Sequence, residues 1–434
     1  MSPVKLWSRV WYSFDGLAGD TLWSGAHDLT QLVTAFSSFL LLQRALSLEE
    51  YGAYIGLYGL LGAFGAISYA GVGLALLQRL VGEGDDPNET LKSFLSVALL
   101  IGVAASVIGS IIGAVVLPLT TVEIALVVAA ELLGVAVVFV SAMLVQAATS
   151  FPAATRVKLG VIVLRLVIVL GLAAADQLTI LNLAAGFLSS FTVYAAYLLI
   201  IHLPRHGYRV SFGLPSALAW RSSAMFSIPM GASKLQTDAD KFLLNVFRYH
   251  ADAGLYGAAY RLVLLGALPL LALDTAAFQR FLPKGEGQPG LHWRRSTRLA
   301  ALMAVASSLV AVALYLLLPY FDFLFAEEFK EAMDIVPWLL LLIPLIATSN
   351  TPMNGLLGLG RTDKRMMVYV SSAVVSLVLY FVLIPSFSWQ GAFVATIISE
   401  LYLSAAGWTA LWYYQRRADR DLDGGSSSPI MSTA

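Results

Sequence analysis

The chain alternates between long apolar stretches and short polar segments, and twelve of the apolar stretches are long enough to cross a lipid bilayer. A membrane-spanning helix needs about 20 mostly apolar residues. Continuous apolar runs favour helices over the strands of a β-barrel, in which polar and apolar residues alternate. The predicted spans are 20–44, 52–78, 91–117, 121–148, 157–175, 178–201, 219–246, 253–281, 297–320, 332–358, 365–386 and 389–414. The pattern therefore predicts an all-α polytopic membrane protein with twelve transmembrane helices.

The composition agrees with this prediction, because 58% of the residues are hydrophobic, only 12% are charged and the mean hydropathy is +0.77. A soluble fold could not bury so much apolar surface. Of the 27 lysines and arginines, 20 lie at the junctions on the side of the N-terminus, three lie at the opposite junctions and four lie inside the spans. Lysine and arginine collect on the cytoplasmic side of membrane proteins. Both termini should therefore be cytoplasmic.

The two ends of the chain differ from the spans between them. Val4, Trp7, Trp11 and Phe14 recur every three or four residues, which is typical of a short helix in the membrane interface. The segment 415–434 is polar and rich in glycine and serine, so we expect a disordered cytoplasmic tail. The net charge is zero, cysteine is absent and the five histidines are scattered. These features indicate neither a nucleic-acid partner nor a metal site.

The spans divide into two halves of six around the longest inner connection. The predicted parts are a cytoplasmic segment 1–19, an N-lobe 20–201, a linker 202–218, a C-lobe 219–414 and the tail 415–434. A weak internal repeat with an offset of 202 residues supports the division. The matching positions are Glu50, Gly52 and Tyr54 in the second span and Asp252, Gly254 and Tyr256 in the eighth. Matched spans run in the same direction, so we expect two parallel-repeat lobes with a substrate cleft between them.

Four segments link the chain to a known family. They are DKFLLNVFRYHADAGLYGAAYRL from Asp240, FAEEFKEA from Phe325, NGLLGLGR from Asn354 and GAFVATIISE from Gly391. The chain resembles the bacterial polysaccharide flippases of the Wzx type, in the superfamily that also contains the multidrug and toxin extruders. The resemblance implies a transporter of the bacterial inner membrane rather than an enzyme. It implies alternating-access movement of a polyprenyl-diphosphate-linked oligosaccharide from the cytoplasmic to the periplasmic leaflet, with membrane lipid and a polysaccharide polymerase and ligase as partners.

Several charged residues lie inside the predicted spans, where an ionised side chain costs roughly 2.5 to 3.5 kcal/mol. In the seventh span, Lys234, Asp238 and Lys241 recur at four and three residues and form one polar face. The resemblance implies that this span and the eighth, which contains Arg261, line the cleft. Lys234, Lys241 and Arg261 would then attract the substrate's diphosphate. The alternative is that the two lysines only neutralise Asp238 within the helix.

Other charged residues have two interpretations each. Asp240 and Arg261 lie near the outer end of one predicted hairpin, where they form a static pair or serve the substrate. Arg165 and Glu131 both lie about 15 Å from the outer ends of adjoining spans. They form a buried pair, or Arg165 reaches the cleft and binds phosphate or sugar. Glu400 has no basic residue one turn away, so it is either protonated or hydrogen-bonded across helices.

Transport against a gradient needs a coupling ion and a moving element. No cofactor is expected, and the sequence leaves both the proton and the sodium ion open as coupling ions. Pro229 and Pro269 flank the polar face and are predicted hinges, because proline removes a backbone donor. The candidate coupling and charge-relay residues are His27, Asp28, Asp238, Asp240 and Asp274.

Two other functions compete with the flippase hypothesis. A drug or toxin extruder of the same fold would favour a more acidic cleft, whereas Lys234, Lys241 and Arg261 favour an anionic head group. A membrane polymerase or ligase acting on the same lipid-linked sugar would present a large outer loop with acid, base or nucleophile groups. Every predicted outer loop is short. A lipid II flippase is a closer rival, but its family places arginines in the first spans, where this sequence has none.

Overall fold

A computed structural model of the protein describes residues 14–278 and 291–425, and this part of the chain is helical apart from short connections. The first half contains α1 (Phe14–Ala45), α2 (Leu48–Glu83), α3 (Pro87–Val116), α4 (Thr121–Ala148), α5 (Phe151–Ala174) and α6 (Ile180–Arg205). The second half contains α7 (Ala217–Val246), α8 (His250–Phe278), α9 (Leu291–Leu317), α10 in three segments (Ala332–Leu340, Leu342–Ser349 and Thr351–Gly358), α11 (362–387) and α12 (389–425). The predicted all-α fold of twelve spans is confirmed.

The helices have the length and composition of membrane spans. Within the described ranges, seven are long and apolar enough to cross a membrane, or eight if the bent pair Glu327–Leu340 and Leu342–Gly358 forms one span. The run Thr362–Arg420 is one of these seven, although it contains both α11 and α12. The protein is therefore a multi-pass membrane protein. α1, α7 and α8 lie outside this apolar set, and these three helices carry most of the polar residues that the sequence assigns to the cleft.

Local capping signals begin the helices at the short turns. Ser47 and Glu50 form a capping box at the start of α2, in which the Glu50 backbone N–H donates to Ser47 Oγ and the Ser47 backbone N–H donates to the Glu50 carboxylate. Thr120 and Glu123 do the same at the start of α4. These side chains satisfy backbone donors that the first turn of a helix leaves unpaired. Tight turns of this kind place consecutive spans side by side.

The turn between α11 and α12 is a single residue, Ser388. Its backbone has φ 48° and ψ −128°, which interrupts a helical run from Thr362 to Gly425. The Ser388 hydroxyl donates to the carboxylate of Asp252 in the first turn of α8. This contact ties the tip of the α11–α12 hairpin to α8.

The two ends of the chain were predicted less completely than the spans. Val4, Trp7 and Trp11 of the predicted interfacial helix lie outside the described residues. At the other end, α12 continues to Gly425, into the segment for which the sequence predicts a disordered tail. Buried Gln415 donates to the Asp419 carboxylate one turn later, which supports this helical extension.

α2 and α7 form the seam between the two halves. We call the end of the bundle that carries the α6–α7 linker the inner end, and the end that carries the α9–α10 loop the outer end. A Cβ on Gly52 would lie 1.9 Å from the backbone oxygen of His250, near the outer end. A Cβ on Gly71 would lie 2.4 Å from the Cα of Ser227, nearer the inner end. Only glycine permits this close approach at the two positions.

Candidate functional site

The polar face of α7 is an ion-pair network. The Lys241 Nζ lies 3.0 Å from the Asp240 carboxylate and 3.4 Å from the Asp238 carboxylate. Lys234 Nζ approaches the other oxygen of Asp238 at 3.4 Å. The charges on this face therefore sum to zero. Lys241 is buried and lies 4.4 Å from the centre of the Tyr260 ring, whereas the Lys234 side chain is 53% exposed.

This network differs in one respect from the sequence interpretation. Asp240 bonds to its neighbour Lys241 and not to Arg261. Successive residues on a helix point about 100° apart, but the long lysine side chain reaches back to both carboxylates. Among the described residues Arg261 forms no ion pair, and it lies beside Tyr51 and Tyr54 of α2.

A second charged cluster lies within the first half, in the middle of the bundle. Arg165 of α5 donates to the Glu131 carboxylate of α4 at 2.5 Å, and the hydroxyl of Tyr58 on α2 donates to the same carboxylate at 2.9 Å. The Arg165 guanidinium also lies 5.3 Å from the Phe191 ring and 5.7 Å from the Phe187 ring of α6. Arg165 and Glu131 thus form the ion pair that the sequence allowed, and Arg165 contacts four side chains on three helices, α2, α4 and α6.

The helix that presents Glu131 is locally irregular. Residues Ala130–Gly134 form one turn of π-helix inside α4, and Ala66–Ala70 form another inside α2. Single π-turns break the regular hydrogen-bond ladder and are frequent at functional sites. The hydrophobic pattern of the sequence does not predict these turns.

The remaining predicted site residues are spread over α1, α7 and α8. His27 Nδ1 lies 3.1 Å from the Asp28 carboxylate, and the Asp28 side chain is 38% exposed. Pro229 lies inside α7 without ending the helix. Asp274 and Pro269 lie in α8, but their side chains fall outside the described part of the structure. Their assigned roles, like those of the other site residues, stay predictions.

An aromatic cluster closes the outer end, and we call it the outer seal. It consists of Phe39 of α1, Tyr51 of α2, and Phe325 and Phe329 of the α9–α10 loop, all nearly fully buried. The ring centres of Phe39 and Phe325 lie 5.6 Å apart, and those of Tyr51 and Phe329 lie 5.4 Å apart. The seal therefore joins the first half of the chain to the second. Its members lie up to 290 positions apart, so sequence patterns do not predict it.

Two amides reinforce the closure at this end. Gln43 Nε2 donates to the Leu324 carbonyl at 2.6 Å, and the Ala326 N–H donates to Gln43 Oε1. Between α7 and α2, Asn245 Nδ2 donates to the Gly52 carbonyl at 3.0 Å. Hydrogen bonds between backbone and side chain thus link the halves where the predicted cleft would open outward.

Glu400 lies inside the second half. Its carboxylate accepts hydrogen bonds from Gln236 Nε2 of α7 at 3.1 Å and from Ser349 Oγ of α10 at 2.6 Å. The predicted hydrogen bonding of Glu400 across helices is confirmed.

Solved structures of transporters share this architecture. The sequence matches no protein-family model and no curated protein. An inward-facing multidrug resistance MATE family transporter of the MOP superfamily is similar with a TM-score of 0.66 and 15% identity, over 92% of this chain and 96% of that chain. An outward-facing MATE family transporter has a TM-score of 0.62 and 15% identity, over 92% and 96% of the two chains. The MATE multidrug transporter DinF-BH has a TM-score of 0.64 and 12% identity, over 94% and 97%.

The protein therefore has the two-lobe fold of these transporters. At such low identities the likeness defines the fold and leaves the substrate to be inferred from this chain's own residues.

Proposed function

We propose that this protein is an alternating-access transporter that flips a polyprenyl-diphosphate-linked oligosaccharide from the cytoplasmic to the periplasmic leaflet of the bacterial inner membrane. The polysaccharide polymerase and ligase that use the flipped lipid would be its partners. The two-lobe fold supports a transporter. The substrate class rests on the charges described below.

The observation that carries the substrate class is the balance of charges along α7 and α8. Asp238 and Asp240 are both neutralised by bonded lysines. Lys234 shares Asp238 with Lys241 and keeps half of its side chain exposed. Arg261 contacts tyrosines and forms no ion pair among the described residues. The α7 charges balance one another, so Arg261 is the cation on these helices that has no anionic partner among the described residues, and a diphosphate would provide one.

The closed outer end supports substrate entry from the inner side. The outer seal and the Gln43 and Asn245 hydrogen bonds join the halves at the outer end. With the outer end closed, a lipid-linked substrate would enter from the cytoplasmic leaflet.

A cation-coupled multidrug or toxin extruder is the second candidate. The similar solved structures described above are multidrug transporters, which supports this candidate more directly than the first. Asp28 is the partly exposed carboxylate that a cationic drug would use. Under this alternative the acidic residues, and not the lysines, would form the binding site.

Charge-removing variants in liposomes separate the two candidates. We expect Lys234→Gln and Arg261→Gln each to reduce translocation of a fluorescent polyprenyl-diphosphate oligosaccharide at least tenfold, because a hydrogen bond to a charged group contributes about 1.5 to 3 kcal/mol. Lys92→Gln is the matched control, since Lys92 lies at the inner surface beside Glu89. Full translocation by both Lys234→Gln and Arg261→Gln would contradict a phosphate-binding role for these two residues. Export of a cationic dye that depends on Asp28 would favour the extruder.

A further inference from the structure

Glu400 is a buried acid that the proposed substrate binding does not use. It lies about 18 Å along α12 from Ser388, at 1.5 Å per residue, and only 6% of the residue is exposed. Its hydrogen-bond partners, Gln236 and Ser349, are both neutral. Among the described residues no lysine, arginine or histidine lies within ion-pair distance of it. An ionised carboxylate in such a place is strongly disfavoured unless it is paired or hydrated.

Four helices surround the Glu400 carboxyl group. α7 contributes Gln236 and α10 contributes Ser349 as hydrogen-bond donors, and Tyr260 of α8 and Tyr380 of α11 lie nearby. Lys241 lies behind Tyr260, with its Nζ over the ring. Tyrosine stays neutral near physiological pH, so Glu400 is the group in this shell that can change its charge there.

Gln236 connects Glu400 to the charged face of α7. At about 100° per residue, Gln236 points almost directly away from Lys234 and Asp238, which are two positions before and after it. Its backbone carbonyl also accepts a hydrogen bond from the Tyr380 hydroxyl at 3.1 Å. Glu400 and Tyr380 therefore hold α7 on the side opposite Lys234 and Asp238, and Asp240, one turn after Gln236, lies on the Gln236 side.

The Gln236 amide has a spare polar atom. Its Oε1 is buried without a hydrogen-bond partner, and the two ends of a glutamine amide can exchange places by rotation. With Nε2 toward Glu400, the amide donates a hydrogen bond to the ionised carboxylate. After rotation, Oε1 would accept the proton of a neutral carboxylic acid. The site can thus hydrogen-bond both protonation states of Glu400.

We propose that Glu400 binds a proton and that its protonation state selects the position of α7, which makes this residue a coupling site in the C-lobe. The inference rests on the proposed alternating-access function. A proton taken up on one carboxylate oxygen gives a neutral group that fits the buried site. When the proton leaves, the negative charge must be hydrated or brought toward Lys241. Either change requires α7 to shift against α12, and Pro229 lies two turns before Gln236 where α7 can bend.

The test measures conformation without any substrate, so its outcome is independent of the substrate class. The chain lacks cysteine, and exposed Arg44 of α1 and Glu328 of the α9–α10 loop flank the outer seal. Spin labels on Arg44→Cys and Glu328→Cys report the distance across the outer end in lipid nanodiscs. We expect the ratio of short to long distances to change with pH in a single one-proton transition.

Three variants assign that transition. Glu400→Gln should make the distance ratio independent of pH. Ser349→Ala removes a donor to the carboxylate, which favours the protonated form, so the midpoint should move to higher pH by about one unit. Glu89→Gln removes an exposed carboxylate at the inner surface, so it is the matched control and should leave the midpoint unchanged. A pH transition that persists in a folded, monodisperse Glu400→Gln protein, or that disappears in Glu89→Gln, would overturn the proposal, as would a parent protein whose distances ignore pH.

Discussion

Adding one methyl group at Gly52 should separate the two halves of the protein at the outer end. In Gly52→Ala the new Cβ would lie 1.9 Å from the His250 backbone oxygen and 2.8 Å from the Gly254 nitrogen. Ordinary contact begins near 3.4 Å, so α2 and α8 must move apart by about 1.5 Å. Both obstructing atoms belong to the backbone and cannot rotate away. Overpacking of this kind costs about 1 to 3 kcal/mol.

Gly62→Ala on the same helix provides the control. Its added Cβ would meet its nearest atom, a carboxylate oxygen of Asp238, at 3.4 Å. Thermal unfolding of the two purified variants can be followed by the fluorescence of the nine tryptophans. We expect Gly52→Ala to melt several degrees below the parent and Gly62→Ala to melt close to it. Equal melting temperatures for the two variants would refute the close packing of the seam.

Two further predictions concern the buried charges and the outer seal. Arg165→Met should lower the free energy of unfolding by about 3 to 5 kcal/mol, because Glu131 would remain buried without its partner. Adding Glu131→Gln should restore much of the loss. An Arg165→Met protein that melts like the parent would contradict this. Phe329→Ala should open the outer seal. A cysteine introduced at Thr237 should then react with a membrane-impermeant thiol reagent added at the outer face. If that cysteine stays unreactive, the seal does not control access.

The positions of the spans and of one buried ion pair could be predicted because they depend on distance along the chain. Glu131 and Arg165 lie equally far from the outer ends of adjoining antiparallel helices, so counting residues places them at one depth, and the structure pairs them at 2.5 Å. Depth and helical phase are both readable from a sequence.

The contacts that join distant parts of the chain could not be predicted in this way. The outer seal brings Phe39 beside Phe325, and Glu400 meets Gln236 across 164 positions. Helical periodicity identifies a buried face but not the helix that covers it. The Asp240 pairing was missed for a different reason, since a helical wheel ignores the reach of a long lysine side chain.

Translocation by the purified parent protein tests the proposal that this protein carries an anionic lipid-linked oligosaccharide. The measurement uses liposomes loaded with a fluorescent polyprenyl-diphosphate oligosaccharide, with and without proton and sodium gradients, beside liposomes containing a cationic dye. We predict that the labelled lipid reaches the opposite leaflet only when the protein is present, while the dye does not move. Dye export without lipid movement would contradict the claim and identify a multidrug extruder.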